Sequence, residues 1–438
     1  MTRLALASLR HRSTASLATF LTVLLGTALM GSFTTMVATA TGDVSSTDRE
    51  SLLTIGAVVG GWGTLIVLFA VVSTVGITVT QREDEVRLLR TVGATPRQTK
   101  RLVRAETGAV ALVAAALGAA LAYAGGAGLL ALLRGSGLVG ADVTYAPAYA
   151  PVATGVLLVL VALLGSGIAA RRQGRTRRER LPWWRVAAGV ALIGYGVAMA
   201  VVTVTVTAHD ADPYAAMQTS GSCSILVGLG LAALAPWLLR HLAVVARPAL
   251  GRSGAGHLAA HNTRRRAHLL SGVLAPVIVL TSAAVGTLML VSVDGRTLPA
   301  GGFDQDTADA VNLLNDVVVG MIVLFAAVVV VNSFAEVVAH RRAELHRLWL
   351  LGATPGQVER SVLAEAGVVA AVGVLLGLVA SLATVVPFAV ARHEGVVPDG
   401  GLWLPPVVVA GVVALTLLAA RSAVRRTAVA SLTTGAPR

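Results

Sequence analysis

The chain has 438 residues, 55% hydrophobic and only 13% charged, with a formal net charge of +13 and mean hydropathy +0.77. That composition excludes a soluble globular protein and implies many membrane spans. The basic residues fall in short clusters between apolar runs, so the orientation rule for membrane loops accounts for them and nucleic-acid binding is not expected.

Runs long enough to cross about 30 Å of hydrocarbon lie near 14–38, 52–79, 106–133, 147–169, 186–207, 222–246, 268–292, 311–338, 363–391 and 402–420. The expected fold is an all-α integral membrane protein with about ten transmembrane helices. The first run follows the basic triplet Arg10-His-Arg12, and Ala38-Thr-Ala40 near its end resembles a small-residue cleavage site. The run is longer than a signal-peptide core of about 7–15 residues, so it is expected to be retained. Alternate loops place 31 of the 35 basic residues on one side and leave Arg49, Arg134, Arg296 and Arg392 on the other. Positive charge stays inside, so both termini are expected in the cytoplasm of what composition marks as a GC-rich bacterium: Lys100 is the only lysine. The single cysteine, Cys223, excludes an internal disulfide and a cysteine metal cluster.

Between the second and third spans the chain carries a charged stretch, Arg82 to Gln98, that recurs between the eighth and ninth as Arg341 to Gln357. Aligned on Gly93 and Gly352, the copies share Arg82, Glu85, Leu89, Ala94, Thr95, Pro96, Gln98, Arg101, Glu106 and Gly108 with Arg341, Glu344, Leu348, Ala353, Thr354, Pro355, Gln357, Arg360, Glu365 and Gly367. Gly93 and Gly352 fit the left-handed residue that ends a helix. Thr95 or Thr354 then caps the next helix, with Pro at its first position and Gln at its third. Each copy therefore reads as helix, tight turn, helix: an elbow just outside the membrane.

The repeat is wider than the elbow. Leu4-Ala5 with the triplet ending at Arg12, and Leu258-Ala259 with Arg264, Arg265 and Arg266, read as short interfacial helices before the first and seventh spans. The domains expected are a first repeat over 1–170, a linking pair of spans over 171–253 and a second repeat over 254–438. An even number of spans separates the repeats, so they lie parallel to each other. No phosphate-binding loop of the Gly-x-x-x-x-Gly-Lys-Ser/Thr type occurs, and the spans carry little charge for an ion-coupled carrier. No serine-nucleophile motif or pair of carboxylates in a membrane cavity stands out either, so the chain does not read as an enzyme. Gln305, Asp309, Asn312 and Asp316 line one face of a helix entering the outer leaflet, a candidate outer site for a cationic or amphiphilic substrate or a partner; a solvated helix end explains the same pattern.

The doubled elbow with its Gly-Ala-Thr-Pro turn, followed by Glu106-Thr-Gly108 or Glu365-Ala-Gly367, resembles the FtsX-like permeases of ATP-binding cassette systems. That family includes the MacB and bacitracin-resistance types, and the similarity covers about 1–170 and 254–430. The resemblance implies that each elbow couples to a separate ATPase subunit, probed in the first copy by Glu85, Leu89, Arg90, Gly93, Ala94, Thr95, Pro96 and Gln98. In the second copy the same role falls on Glu344, Leu348, Trp349, Gly352, Ala353, Thr354, Pro355 and Gln357. It implies two ATPases per chain, ATP and Mg bound by that partner with no cofactor in this chain, contact with membrane lipid, and residence in the bacterial plasma membrane. The implied function is export or extraction of a lipophilic compound by mechanotransmission; the alternative is a relay of ATPase motion to a cell-wall hydrolase or sensor kinase. The outer loops over 39–51 and 293–310 are too short for the large extracytoplasmic domains of both named types.

Overall fold

A computed structural model describes residues 13–80, 83–172, 182–210, 215–242, 267–297, 319–320, 323–325, 327–335, 337–338 and 351–434. Among these residues every regular element is helical, and nine helices are long and apolar enough to cross a membrane. Of the eighth expected span, 311–338, the described part is a shorter apolar helix, Val323–Ala335. The two interfacial preludes, up to Arg12 and over 258–266, lie outside the described residues. The chain divides into two compact units, Met1–Thr176 with Pro299–Val328 and Arg177–Leu298 with Val329–Arg438.

The first unit contains α1 (Ser13–Thr39), α2 (Ser46–Leu53), a π-helical segment (Thr54–Val59), α3 (Gly60–Thr80), α4 (Glu83–Thr91), α5 (Pro96–Gly135) and α6 (Ala150–Arg172). Lipid tails give no hydrophobic drive for helix association, so small residues that admit close backbone contact and interhelical hydrogen bonds do the work. α5 turns a buried stripe of Ala111, Ala114, Ala115, Gly118, Ala122 and Gly126 inward. A Cβ at Gly118 would lie 2.6 Å from the Leu24 carbonyl oxygen and 2.7 Å from Thr27 Cβ on α1. Buried and half-buried threonines tie α1 to its other neighbours, with 3.0 Å between the hydroxyls of Thr19 and Thr78 and 3.0 Å between those of Thr34 and Thr154.

The second unit contains α7 (Trp183–Thr205), α8 (Ala215–Ser220), α9 (Cys223–Ala233), α10 (Ala235–Leu242), α11 (Ala267–Thr297), α12 (Pro355–Ala391) and α13 (Leu404–Thr434). Gly377 on α12 repeats Gly118 in the elbow alignment, and a Cβ there would collide with Thr281 Cβ and stand 3.0 Å from the Ile278 carbonyl oxygen on α11. The close crossing of first and third spans is thus built the same way in both units. Gly118→Leu and Gly377→Leu are each expected to cost about 1–3 kcal/mol through overpacking. Gly128→Leu is the control, since nothing stands within 4 Å of its Cβ. Thermal unfolding of the purified variants checks this; equal losses at Gly118 and Gly128 would refute it.

The sixth span, expected as one helix over 222–246, begins earlier, at Ala215, and is broken twice: at Gly221 and Ser222, and again at Leu234 before Pro236, which has no amide to continue the ladder. Each break frees backbone groups that membrane depth cannot leave unpaired. The Thr384 hydroxyl donates to the Ser220 carbonyl at 2.7 Å and accepts from the Ser224 amide at 2.9 Å, bridging the first break. Arg185 Nε donates to the Ala233 carbonyl at 2.9 Å at the second.

The ends of the spans remote from the elbows hold the four arginines that the charge count set apart, and each is engaged within its own unit. Arg49 Nε donates to the Ala40 carbonyl at 3.1 Å, and Arg134 donates to the Val143 carbonyl. Arg392 reaches Asp294 at 2.5 Å, and Arg296 grips Glu394 through two bonds of 3.2 and 3.0 Å. Asp294 is only 3% exposed, a buried charge just past the end of the apolar run.

Candidate functional site

The elbow of the first unit forms because its termination signals are local and mutually consistent. The Gly93 amide donates to the Arg90 carbonyl at 3.1 Å and the Ala94 amide to the Leu89 carbonyl at 2.9 Å, the paired bonds of a left-handed helix stop. Gly93 carries φ +103°, and Gly352 in the second copy carries φ +92°. α5 then starts at Pro96 with a reciprocal cap: the Gln98 amide donates to Thr95 Oγ1 at 3.3 Å, and Gln98 Oε1 accepts from the Thr95 amide at 2.9 Å. Thr354 and Gln357 repeat those two bonds at 3.3 and 2.9 Å. Both satisfy amides that a helix start leaves orphaned.

Beyond the turn, both copies bury the same face of the following helix. Thr99, Val103 and Glu106 are buried in the first unit, and Val358, Val362 and Glu365 at the aligned positions in the second. Spacings of four and three residues put each trio on one side of its helix. Glu106 and Glu365 each take part in a polar or electrostatic contact there. At 40 and 37 residues, α5 and α12 are about 60 and 55 Å long. They exceed a hydrocarbon core of about 30 Å, so their elbow ends project beyond it.

Beside the exposed Arg87 and Arg97, the elbow presents apolar side chains outward. Leu88 is 66% exposed and Leu89 41%, while Val92, the residue just before the turning glycine, is 88% exposed. Leu351 holds the position of Val92 in the second copy and is 84% exposed. Val86 is buried, and Glu85 and Arg90 each make a polar or electrostatic contact, so α4 has one held face and one free apolar edge. Of the coupling residues read from sequence, Glu85, Leu89, Arg90, Gly93, Ala94, Thr95, Pro96 and Gln98 fall together on α4, its turn and the start of α5. Gly352, Ala353, Thr354, Pro355 and Gln357 do so in the second unit. Glu344, Leu348 and Trp349, and the outer candidates Asp309, Asn312 and Asp316, lie outside the described residues. Sequence reasoning missed Leu88, Val92 and Leu351; the signal available was an apolar residue directly before the turn glycine in both copies.

Among the described residues no group of three or more His, Cys, Asp or Glu side chains is placed to hold a metal ion. No curated protein sequence shows significant similarity to the chain. The family model described as FtsX-like permease C-terminal matches residues 57–177 and 317–429, more than half of the chain, and each match contains one elbow. The repeat found by aligning Gly93 with Gly352 is therefore a repeat of one family domain, and the chain belongs to the FtsX-like permeases.

Proposed function

We propose that this chain is the membrane subunit of an ATP-binding cassette transporter and that each elbow seats in a separate ATPase subunit, two per chain. FtsX-like permeases generally work with such ATPases. The observation that carries the docking reading is the pair of apolar turn tips, Val92 and Leu351, 88% and 84% exposed, each shortly before a helix that buries one face. ATP and Mg belong to the partner. In this reading the elbows face the cytoplasm of a bacterial cell and both termini lie on that side, as the basic loops favour. The π-helical segment and α3 form one lever leading into the first elbow, and ATPase closure drives it. Engagement of all four far-end arginines within the fold, together with short outer loops, favours work on a lipophilic compound, an antimicrobial or a lipid, taken from the outer leaflet. The ten-span layout favours the bacitracin-resistance type without its large extracytoplasmic domain.

Coexpression with the adjacent ATPase gene and mass measurement of the detergent-solubilised complex tests the assembly. Two ATPase chains per permease are expected. One would replace the fused two-elbow transporter with a homodimer, and none would remove the transporter reading.

A further inference from the structure

At the elbow end of the second unit a groove of about 550 Å³ opens between α12 and α13. Its floor is apolar, formed by Leu363, Leu417 and Leu418, and Leu418 is 64% exposed. Its rim is charged: Glu359 and Arg360 stand on α12 and Arg421 on α13. Arg421 Nε contacts Glu359 at 2.8 Å, and Arg425 stands 4.0 Å from the same carboxylate. Two arginines thus share one acid, and Arg360 has no ion-pair partner among the described residues. The cationic rim sits where α13 leaves its apolar span, which runs to Arg425, so it lies at headgroup depth with the leucine floor pointing toward the acyl chains. A water-soluble anion has no use for that floor, and a neutral lipid has none for the arginines.

The first unit builds the corresponding place in a second way. A Cβ at Gly167 on α6 would meet Arg104 Nε at 3.7 Å and Lys100 Cε at 3.8 Å. The missing side chain at Gly167 therefore lets the stems of two basic residues of α5 lie across α6. The rim of α5 also carries Arg101, the counterpart of Arg360, and has no acid where the second unit has Glu359. Cationic side chains beside an apolar interhelical groove are the features by which a membrane protein holds anionic lipid.

We infer that the groove between α12 and α13 holds one anionic phospholipid of the leaflet next to the elbows, its phosphate between Arg360 and Arg421 and an acyl chain along Leu418. This is independent of ATPase docking, because the test needs the permease chain alone. The full-length protein in a neutral detergent is titrated with phosphatidylglycerol or phosphatidylcholine, and bound lipids are counted by native mass spectrometry. Phosphatidylglycerol is expected to bind on the order of tenfold more tightly than phosphatidylcholine. R360Q/R421Q should lose one tightly held phosphatidylglycerol per chain. E359Q, which removes only the competing carboxylate from a partly exposed pair, should tighten binding severalfold and covers the case in which the double variant fails to fold. Unchanged phosphatidylglycerol binding in R360Q/R421Q, or unchanged or weaker binding in E359Q, overturns the inference. Displacement of the lipid by millimolar inorganic phosphate would also overturn it, showing an anion site indifferent to acyl chains.

Discussion

L88E/V92E should release the ATPase from the first elbow, L351E should release it from the second, and the triple variant should retain none in a pull-down of the coexpressed complex. Leu88, Val92 and Leu351 are 66%, 88% and 84% exposed, so the isolated permease loses little by their replacement. In a docked complex each becomes a buried apolar anchor of about 1.5–3 kcal/mol. Central apolar contacts at interfaces reach about 2 kcal/mol or more on truncation. Two at one elbow then amount to about 4 kcal/mol, roughly a thousandfold in affinity. A buried glutamate adds its own desolvation penalty. Glu85 and Arg90 already make contacts within the permease, and exposed ion pairs at a rim contribute about 0–1 kcal/mol. The apolar tips therefore outweigh the charges that make the elbow conspicuous in sequence. Full retention of two ATPases by the triple variant would sink the docking reading. Retention of the ATPase with loss of the protein from the membrane would assign Leu88 and Val92 to the lipid interface instead.

How much of this was legible in the sequence follows from how local each cause is. The turn and cap of the elbow were readable because a glycine stop, a threonine cap, a proline and a reciprocating glutamine act within a few residues of one another; the structure shows the stop bonds at Gly93 and the reciprocal cap in both copies. The spans were readable because hydrocarbon thickness sets a length that composition must meet. The breaks in the sixth span were not, because Thr384 and Arg185 satisfy the freed backbone from positions remote in sequence, and an apolar run gives no sign of such help. The outward edge of α4 was hidden for a related reason. In a chain this apolar, Leu88 and Val92 look like any other core residues until the face that carries Val86 is seen to be the buried one. Asp294 was overlooked because it falls two residues beyond the apolar run that ends near 292, where a carboxylate reads as part of the outer loop.

That overlooked residue yields the second large effect. D294N should cost the protein about 3 kcal/mol, whereas E394Q, at the neighbouring pair, should cost about 1 kcal/mol or less. The difference lies in solvent. The Asp294 and Arg392 side chains are 4% and 12% exposed and meet at 2.5 Å, so neutralising one leaves the other charged and buried. Arg296 in the second pair is 33% exposed, and water can replace Glu394 around it. Arg392 is further held with its guanidinium carbon 5.3 Å from the centre of the Phe388 ring, so it has little freedom to move outward when its partner is lost. Both pairs join the end of α11 to the end of α12, and Glu394 also accepts from the Asp399 amide at 3.2 Å, tying down the loop between α12 and α13. For a unit of this size 3 kcal/mol lowers the unfolding midpoint by roughly 6–12 °C, measured at fixed detergent and protein concentration. D294L/R392M should recover much of the loss, since a buried ion pair exchanged for apolar residues of similar volume is close to neutral, while D294L alone should not. Added salt should weaken the Arg296 pair and leave the Asp294 pair nearly unaffected. Equal midpoints for D294N and E394Q, or a double variant as unstable as D294L, would show that burial of the pair is not what holds these two helix ends together.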